Sequence, residues 1–164
     1  MAATLAQAAG QVGVREEPPD SNRGPAVDKY LASVGLPPGN AWCAAFVYWC
    51  AECAARQEGR LETPLPPTGW TPALWEWARK RSSFFTPDEV LAGGREPVPG
   101  TLFLLHGKVN GVARVKHVGF ISAVNGPWVE TIEGNTNKRG SREGGGVWCL
   151  RRRISSIFRF LPYG

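Results

Sequence analysis

The chain has 164 residues, 43% of them apolar and 20% charged, with a formal net charge of +5 and a pI near 9.3. That length suits one domain with a single continuous core, residues 1–164, and no apolar run approaches the ~18 residues that a membrane span needs, so no membrane insertion is expected. The basic balance favours polyanions, but no aromatic-interleaved basic motif of a nucleic-acid module is present; Arg151, Arg152 and Arg153 read as the solvated edge of a strand, and no nucleic-acid partner is expected.

From the N-terminus, MAATLAQAAGQVGVREEPP lacks a basic stretch followed by a continuous apolar run, so no secretory signal is expected. Leu5 to Val12 predicts a short helix. After the loop EEPPDSNRGP, Pro25 suits the first position of a second helix running to about Val34. Asn40 predicts an N-cap for a helix over Ala41 to Ala55, apolar almost all round and therefore central and buried. Leu61 to Gly69 is a Pro-rich loop, Thr71 is expected to cap a helix reaching about Arg81, and Thr86-Pro87 opens a short helical turn. From Val98 the pattern changes: TLFLLH, RVKHVGFISAV, WVETIE, GVWCLRRR and ISSIFRFL predict strands separated by Gly and Asn-Gly turns. Helices followed by strands predict an α+β domain.

The four cysteines, at 43, 50, 53 and 149, are too few and too unevenly spaced for a disulfide framework, so reduced thiols are expected. With Asn40 as cap, Cys43 falls at the third helical position. There the unpaired N–H groups and the positive end of the helix dipole favour a thiolate and can receive an oxyanion. Cys50 and Cys53, a C-x-x-C inside an apolar helix, read as small buried hydrophobes, and Cys149 as a core strand residue. A zinc site built from Cys50, Cys53, Cys149 and a histidine is a competing reading; the expectation is no metal and no cofactor.

A thiolate hydrolase needs a base, and the chain has only His106 and His117. A three-residue connection, Asn125-Gly126-Pro127, pairs Val124 with Trp128 and hence His117 with Asn135, which puts His117, Glu133 and Asn135 on one face of a hairpin. A two-residue connection sends His117 to the opposite face. In the three-residue register His117 takes the thiol proton and later protonates the leaving amine. Glu133 accepts from the other ring nitrogen, and Asn135 orients the ring or binds substrate. His106 reads as a loop residue. Each residue also has a plainer reading: a buried thiol, a half-buried histidine bonded to backbone, and turn formers after a strand.

Taken in order, GNAWCAAFVYWC, KHVGFISAV, VETIEGNTN and GGGVW resemble the CHAP family of cysteine, histidine-dependent amidohydrolases/peptidases, over a span from SNRGP near position 21 to RRR at 153. The resemblance implies a papain-like α+β fold in which the catalytic Cys at a helix start packs on an antiparallel sheet. It implies hydrolysis of an amide bond in peptidoglycan, either N-acetylmuramoyl-L-alanine or a bond of the stem or crossbridge, with Cys43, His117, Glu133 and Asn135 matching the family's catalytic positions. Trp42 precedes Cys43 where some members have Gln, and no D-x-D pattern lies upstream, so no structural calcium is expected. Trp42, Trp70, Trp75 and Trp128 are candidate groove residues, of which about half at most are expected to be exposed. The expected setting is a monomeric phage lysin or interbacterial toxin, made in the cytoplasm and acting on the cell wall after release or injection, with an immunity protein as partner of a toxin. The alternative is a non-catalytic wall-binding or phage structural module with the same fold.

Overall fold

Proline and glycine punctuation divides the first half of the chain into helices. In the computed structural model, which describes residues 1–141 and 144–163, these are α1 (Ala2–Ala9), α2 (Pro25–Ser33), α3 (Cys43–Gln57), α4 (Thr71–Lys80) and α5 (Pro87–Leu91). Pro sits in the first turn of α2, α4 and α5, where a missing N–H leaves no helical bond unmade. Thr86 and Glu89 close a reciprocal capping box on α5. Helix α1 begins and ends three residues earlier than Leu5 to Val12, because Gly10 already closes it. Thr71 lies inside α4, with Trp70 as the N-cap.

Five strands follow: β1 (Leu102–Val109), β2 (Val112–Asn125), β3 (Trp128–Thr136), β4 (Gly146–Arg153) and β5 (Arg159–Leu161). They form one antiparallel sheet in the order β4-β3-β2-β1-β5, which gives the chain an α+β architecture. Asn110 and Gly111, both at positive φ, make the tight β1–β2 turn. The expected strand ISSIFRFL is split. Its first three residues form a single 3-10 turn, Ile154–Ser156, and only Arg159–Leu161 pairs, with β1.

Helix α3 is the spine: α1 and α2 pack on it, and it packs on β2 and β3. Trp42, Tyr30 and Phe46 form its aromatic layer, and Phe46 meets Phe120 of the sheet edge-on at 6.1 Å. A second apolar cluster, with Phe103, Ile121, Val129, Ile154 and Phe160, covers the other side of the sheet. Gly134 lets α3 and β3 approach, because a Cβ there would lie 2.8 Å from both Phe46 and Trp42.

Candidate active site

Cys43 is the first residue of α3, not the third. Trp42 is the N-cap, with its carbonyl accepting from Phe46 N–H at 2.8 Å, while Asn40 spends its side chain on the Pro37 carbonyl at 2.9 Å in the preceding turn. The thiol is therefore even closer to the open N–H groups of the helix start. It retains 6% exposure, and beside it His117 of β2 is buried.

The histidine reaches its carboxylate by a different register from the one expected. Asn125 pairs with Trp128, so the connection is the two residues Gly126 and Pro127, and Val124 faces Val129 instead of Trp128. Gly126 at φ 56° ahead of proline suits the first central position of a type II′ turn. Alone, this turn would place His117 on the opposite face. Ser122, however, is left without a partner between Ile121↔Thr131 and Ala123↔Glu130, and that bulge reverses the alternation. His117 Nε2 consequently lies 2.8 Å from Glu133 Oε2. A further irregularity against β1 leaves out Lys116, the residue just before His117.

Glu133 is fully buried and held on both oxygens. Arg152 Nε donates to Oε1 at 2.6 Å and its terminal nitrogen to Oε2 at 2.7 Å, while the Thr131 hydroxyl donates to Oε1 at 2.6 Å. Arg152 is thus not part of a solvated edge. Arg151 and Arg153, pointing the other way, flank the Trp128 ring at 4.6 and 4.5 Å. Strand alternation within RRR was the available signal for this difference. Gly119 makes room for the carboxylate, since a Cβ there would lie 2.9 Å from Glu133 Cγ.

These contacts set the charges. Burial pushes the Glu133 carboxyl up, but Arg152 and His117 outweigh it and hold the group at about 2. Burial pushes His117 down, but interaction with Cys43 and Glu133 lifts the imidazole to about 9. Burial likewise raises the Cys43 thiol, and the His117 side chain together with the Val118 and Ala44 N–H groups brings it below the ordinary thiol value. Among the described residues Nδ1 of His117 has no hydrogen-bond partner, and it is the ring nitrogen left over for the thiol.

Asn135 sits two residues past Glu133 at a bulge between β3 and β4, with φ 57°, buried. Among the described residues its Oδ1 has no hydrogen-bond partner, and no hydrogen bond joins Asn135 to His117. His106 is on strand β1, exposed and 5.1 Å from the Phe158 ring, and is not a loop residue. Cys50 is buried and Cys53 partly so, whereas Cys149 is exposed rather than in the core. Among the described residues no group of three or more His, Cys, Asp or Glu is placed to hold a metal ion. Of the four candidate tryptophans, Trp42 is buried and only Trp70 is largely exposed.

Glu16 was not singled out from the sequence, which offers one of several acidic residues in the loop EEPPD and nothing more. It is buried beneath the site, accepting from Trp42 Nε1 at 2.8 Å and from Asn22 N–H at 3.0 Å, and so fixes the residue that caps α3.

Neither the curated proteins nor the solved structures compared with this chain give a match. The family model described as CHAP domain matches residues 35–135, a span that holds Cys43, His117, Glu133 and Asn135 and more than half of the sequence; the chain belongs to the CHAP domain family.

Proposed function

We propose that this chain, as a single papain-like domain, hydrolyses an amide bond of peptidoglycan, with Cys43 as nucleophile, His117 as proton carrier, Glu133 as its orienting partner and Asn135 as a substrate-binding group. Family membership supports the coarser part of this reading, peptidoglycan hydrolase or amidase-type activity. The observation that carries the rest is the buried chain of contacts from Arg152 through Glu133 to His117 and Cys43. A wall-binding module has no need of a thiol lowered by a histidine that is itself held by a buried carboxylate.

In the proposed reaction the Cys43 thiolate attacks the amide carbonyl, and the Cys43 N–H, which has no acceptor inside the helix, donates to the oxyanion. His117 gives its proton to the departing nitrogen as the C–N bond breaks, leaving a thioester. Water, deprotonated by the now neutral imidazole, cleaves the thioester, releasing the acid and restoring the thiol. The buried Oδ1 of Asn135 accepts from a substrate N–H. The setting that this reading suits is a phage lysin or an injected toxin, the latter implying an immunity protein. Purified peptidoglycan incubated with the wild type and with Cys43→Ala tests the reading: soluble fragments from the wild type alone support it, and equal release by both, or by neither, overturns it.

A further inference from the structure

The β4 edge of the sheet is only partly covered. Strand β4 lies outermost, beyond β3, and the N-terminal segment pairs with its start. Gly13 N–H donates to the Val147 carbonyl at 3.1 Å, Val147 N–H to the Val14 carbonyl at 3.0 Å, and Glu16 N–H to the Gly145 carbonyl at 2.8 Å. The cover stops at Gly13, whose φ of 101° turns the chain out of the edge toward α1. Past that point the register with β3 runs unbroken from Glu133↔Trp148 to Trp128↔Arg153. Val147 bonds outward through both its N–H and its C=O, so by alternation the next outward-facing backbone groups belong to Cys149, Arg151 and Arg153. Among the described residues no backbone group bonds to Cys149 or Arg151 on that side. Ser156 Oγ donates to the Arg153 carbonyl at 2.7 Å and marks the far end of the strip. From Trp148 to Arg153 the open edge is about 20 Å long.

An unpaired strand edge is a template for another strand, and its side chains decide which strand fits. Cys149, Arg151 and Arg153 are exposed and share one face, where the two guanidinium groups flank Trp128. Glu130, which pairs with Arg151 across the sheet, accepts instead from Asn125 Nδ2 at 3.0 Å, and among the described residues neither arginine is in an ion pair. A second copy of this chain pairing through the same edge, in the registers that use most of the strip, sets arginine against arginine, and like charges directly opposite are destabilising. A strand with carboxylates two positions apart meets both charges. On the other face of the strip Leu150 is half-buried and Arg152 is turned to Glu133, which leaves an apolar contact and no free charge.

We propose that Trp148 to Arg153 is a docking edge for an extended acidic segment of another protein, which adds to the sheet as one more antiparallel strand. Two acidic residues of that segment, separated by one, lie opposite Arg153 and Arg151 and bond to their backbones, and the residue opposite Leu150 is apolar. Docking there involves no reaction at Cys43, so the edge and the hydrolase reading stand or fall separately.

The probe is a synthetic heptapeptide, capped at both ends, with the core Glu-Thr-Glu-Val. It is titrated into the isotope-labelled wild-type protein while the backbone N–H resonances and hydrogen exchange of Cys149 and Arg151 are followed. Expected are saturable shifts at these two residues and exchange slowed by about tenfold at saturation, with weaker binding at high salt. Two controls separate strand addition from attraction of charge alone: the same peptide N-methylated at both glutamates, and inorganic polyphosphate. Neither should protect the two amides; protection by either, or none by the parent peptide, overturns the docking edge. In an Arg151→Glu/Arg153→Glu protein the preference should reverse toward a peptide with lysine in place of both glutamates. Arg151→Gln/Arg153→Gln, which keeps the edge without its charge, should bind the acidic peptide about tenfold more weakly. An acidic peptide that binds the glutamine variant as tightly as the wild type overturns the part assigned to the arginines.

Discussion

Glu133 receives four hydrogen bonds on two oxygens, from Arg152 twice, from Thr131 and from His117. Such a carboxylate cannot rotate away from the imidazole, and its charge is fixed by a guanidinium that is itself mostly covered. Truncating Arg152 to Ala leaves a buried carboxylate short of its strongest partner and is expected to lower stability by about 3 kcal/mol, measured by denaturant unfolding. Arg152→Lys, unable to make the two-pronged contact, should fall between. The ionisations also define a pH window. Glu133 is held below its ordinary 4.5, so its contribution to stability is present above 4.5 and lost as the pH falls toward 2. His117 is raised above its ordinary 6.5, so its contribution is full below 6.5 and lost as the pH rises through about 9. Amide hydrolysis should therefore decline above about pH 9, where no imidazolium remains to protonate the leaving nitrogen, while alkylation of Cys43 by iodoacetamide continues. If the two profiles fall together, His117 is not the proton carrier. That Cys43, His117 and Glu133 come together was legible in the sequence from a helix start and from strand alternation, although each residue type alone has a plainer reading. Arg152 was not, because a run of three arginines on an edge strand reads as solvated until the register shows which of them faces inward.

At the scale of elements, the helices were largely legible, since Pro25, Pro72, Pro87 and Gly10 fix their ends by local sterics. Register was less so. The expected three-residue connection and the actual two-residue turn plus bulge have the same effect on facing, and sequence periodicity cannot tell an extra residue in the turn, Asn125, from one three positions earlier in the strand, Ser122. The cap of α3 was misplaced for a related reason. Asn40 has the right side chain, but it satisfies the turn at Pro37 instead, and Trp42 caps with backbone alone. The bulge makes a specific prediction. Deleting Ser122 removes the unpaired residue, leaves the pairs from Phe120↔Ile132 to Asn125↔Trp128 available, and keeps His117 facing Glu133. Inserting one alanine after Phe120 turns His117 to the other face. Thiol alkylation at neutral pH should survive the deletion and be lost on the insertion; the reverse result would show that Ser122, rather than strand parity, positions the histidine. Gly134→Ala, which forces a methyl against Phe46 and Trp42, should destabilise by about 1–3 kcal/mol.

For the whole molecule, the segment before the family match is built into the same core. Helices α1 and α2 pack on α3, and the backbone of Gly13, Val14 and Glu16 bonds to that of Gly145 and Val147, at and just before the start of β4. Glu16 joins these parts. From this N-terminal strap its carboxylate reaches the indole of Trp42, and Trp42 in turn packs against the rings of Tyr30 and Phe46 while its carbonyl opens the helix that carries Cys43. The strap therefore acts on the position of α3, and through it on the distance between the thiol and an imidazole that belongs to the sheet. Glu16→Ala would leave the buried indole N–H of Trp42 and the Asn22 N–H without their acceptor, a loss of about 2 kcal/mol, or ~4–8 °C in Tm for a chain of this size. Its effect should also reach the site. If the strap sets the position of α3, Cys43 alkylation at neutral pH and at a temperature where the variant is fully folded should slow by about tenfold, a change equivalent to about one unit in the thiol pKa. An unchanged alkylation rate in a folded but less stable Glu16→Ala protein would confine the carboxylate to stability and leave the placement of Cys43 to the packing of α3 on the sheet.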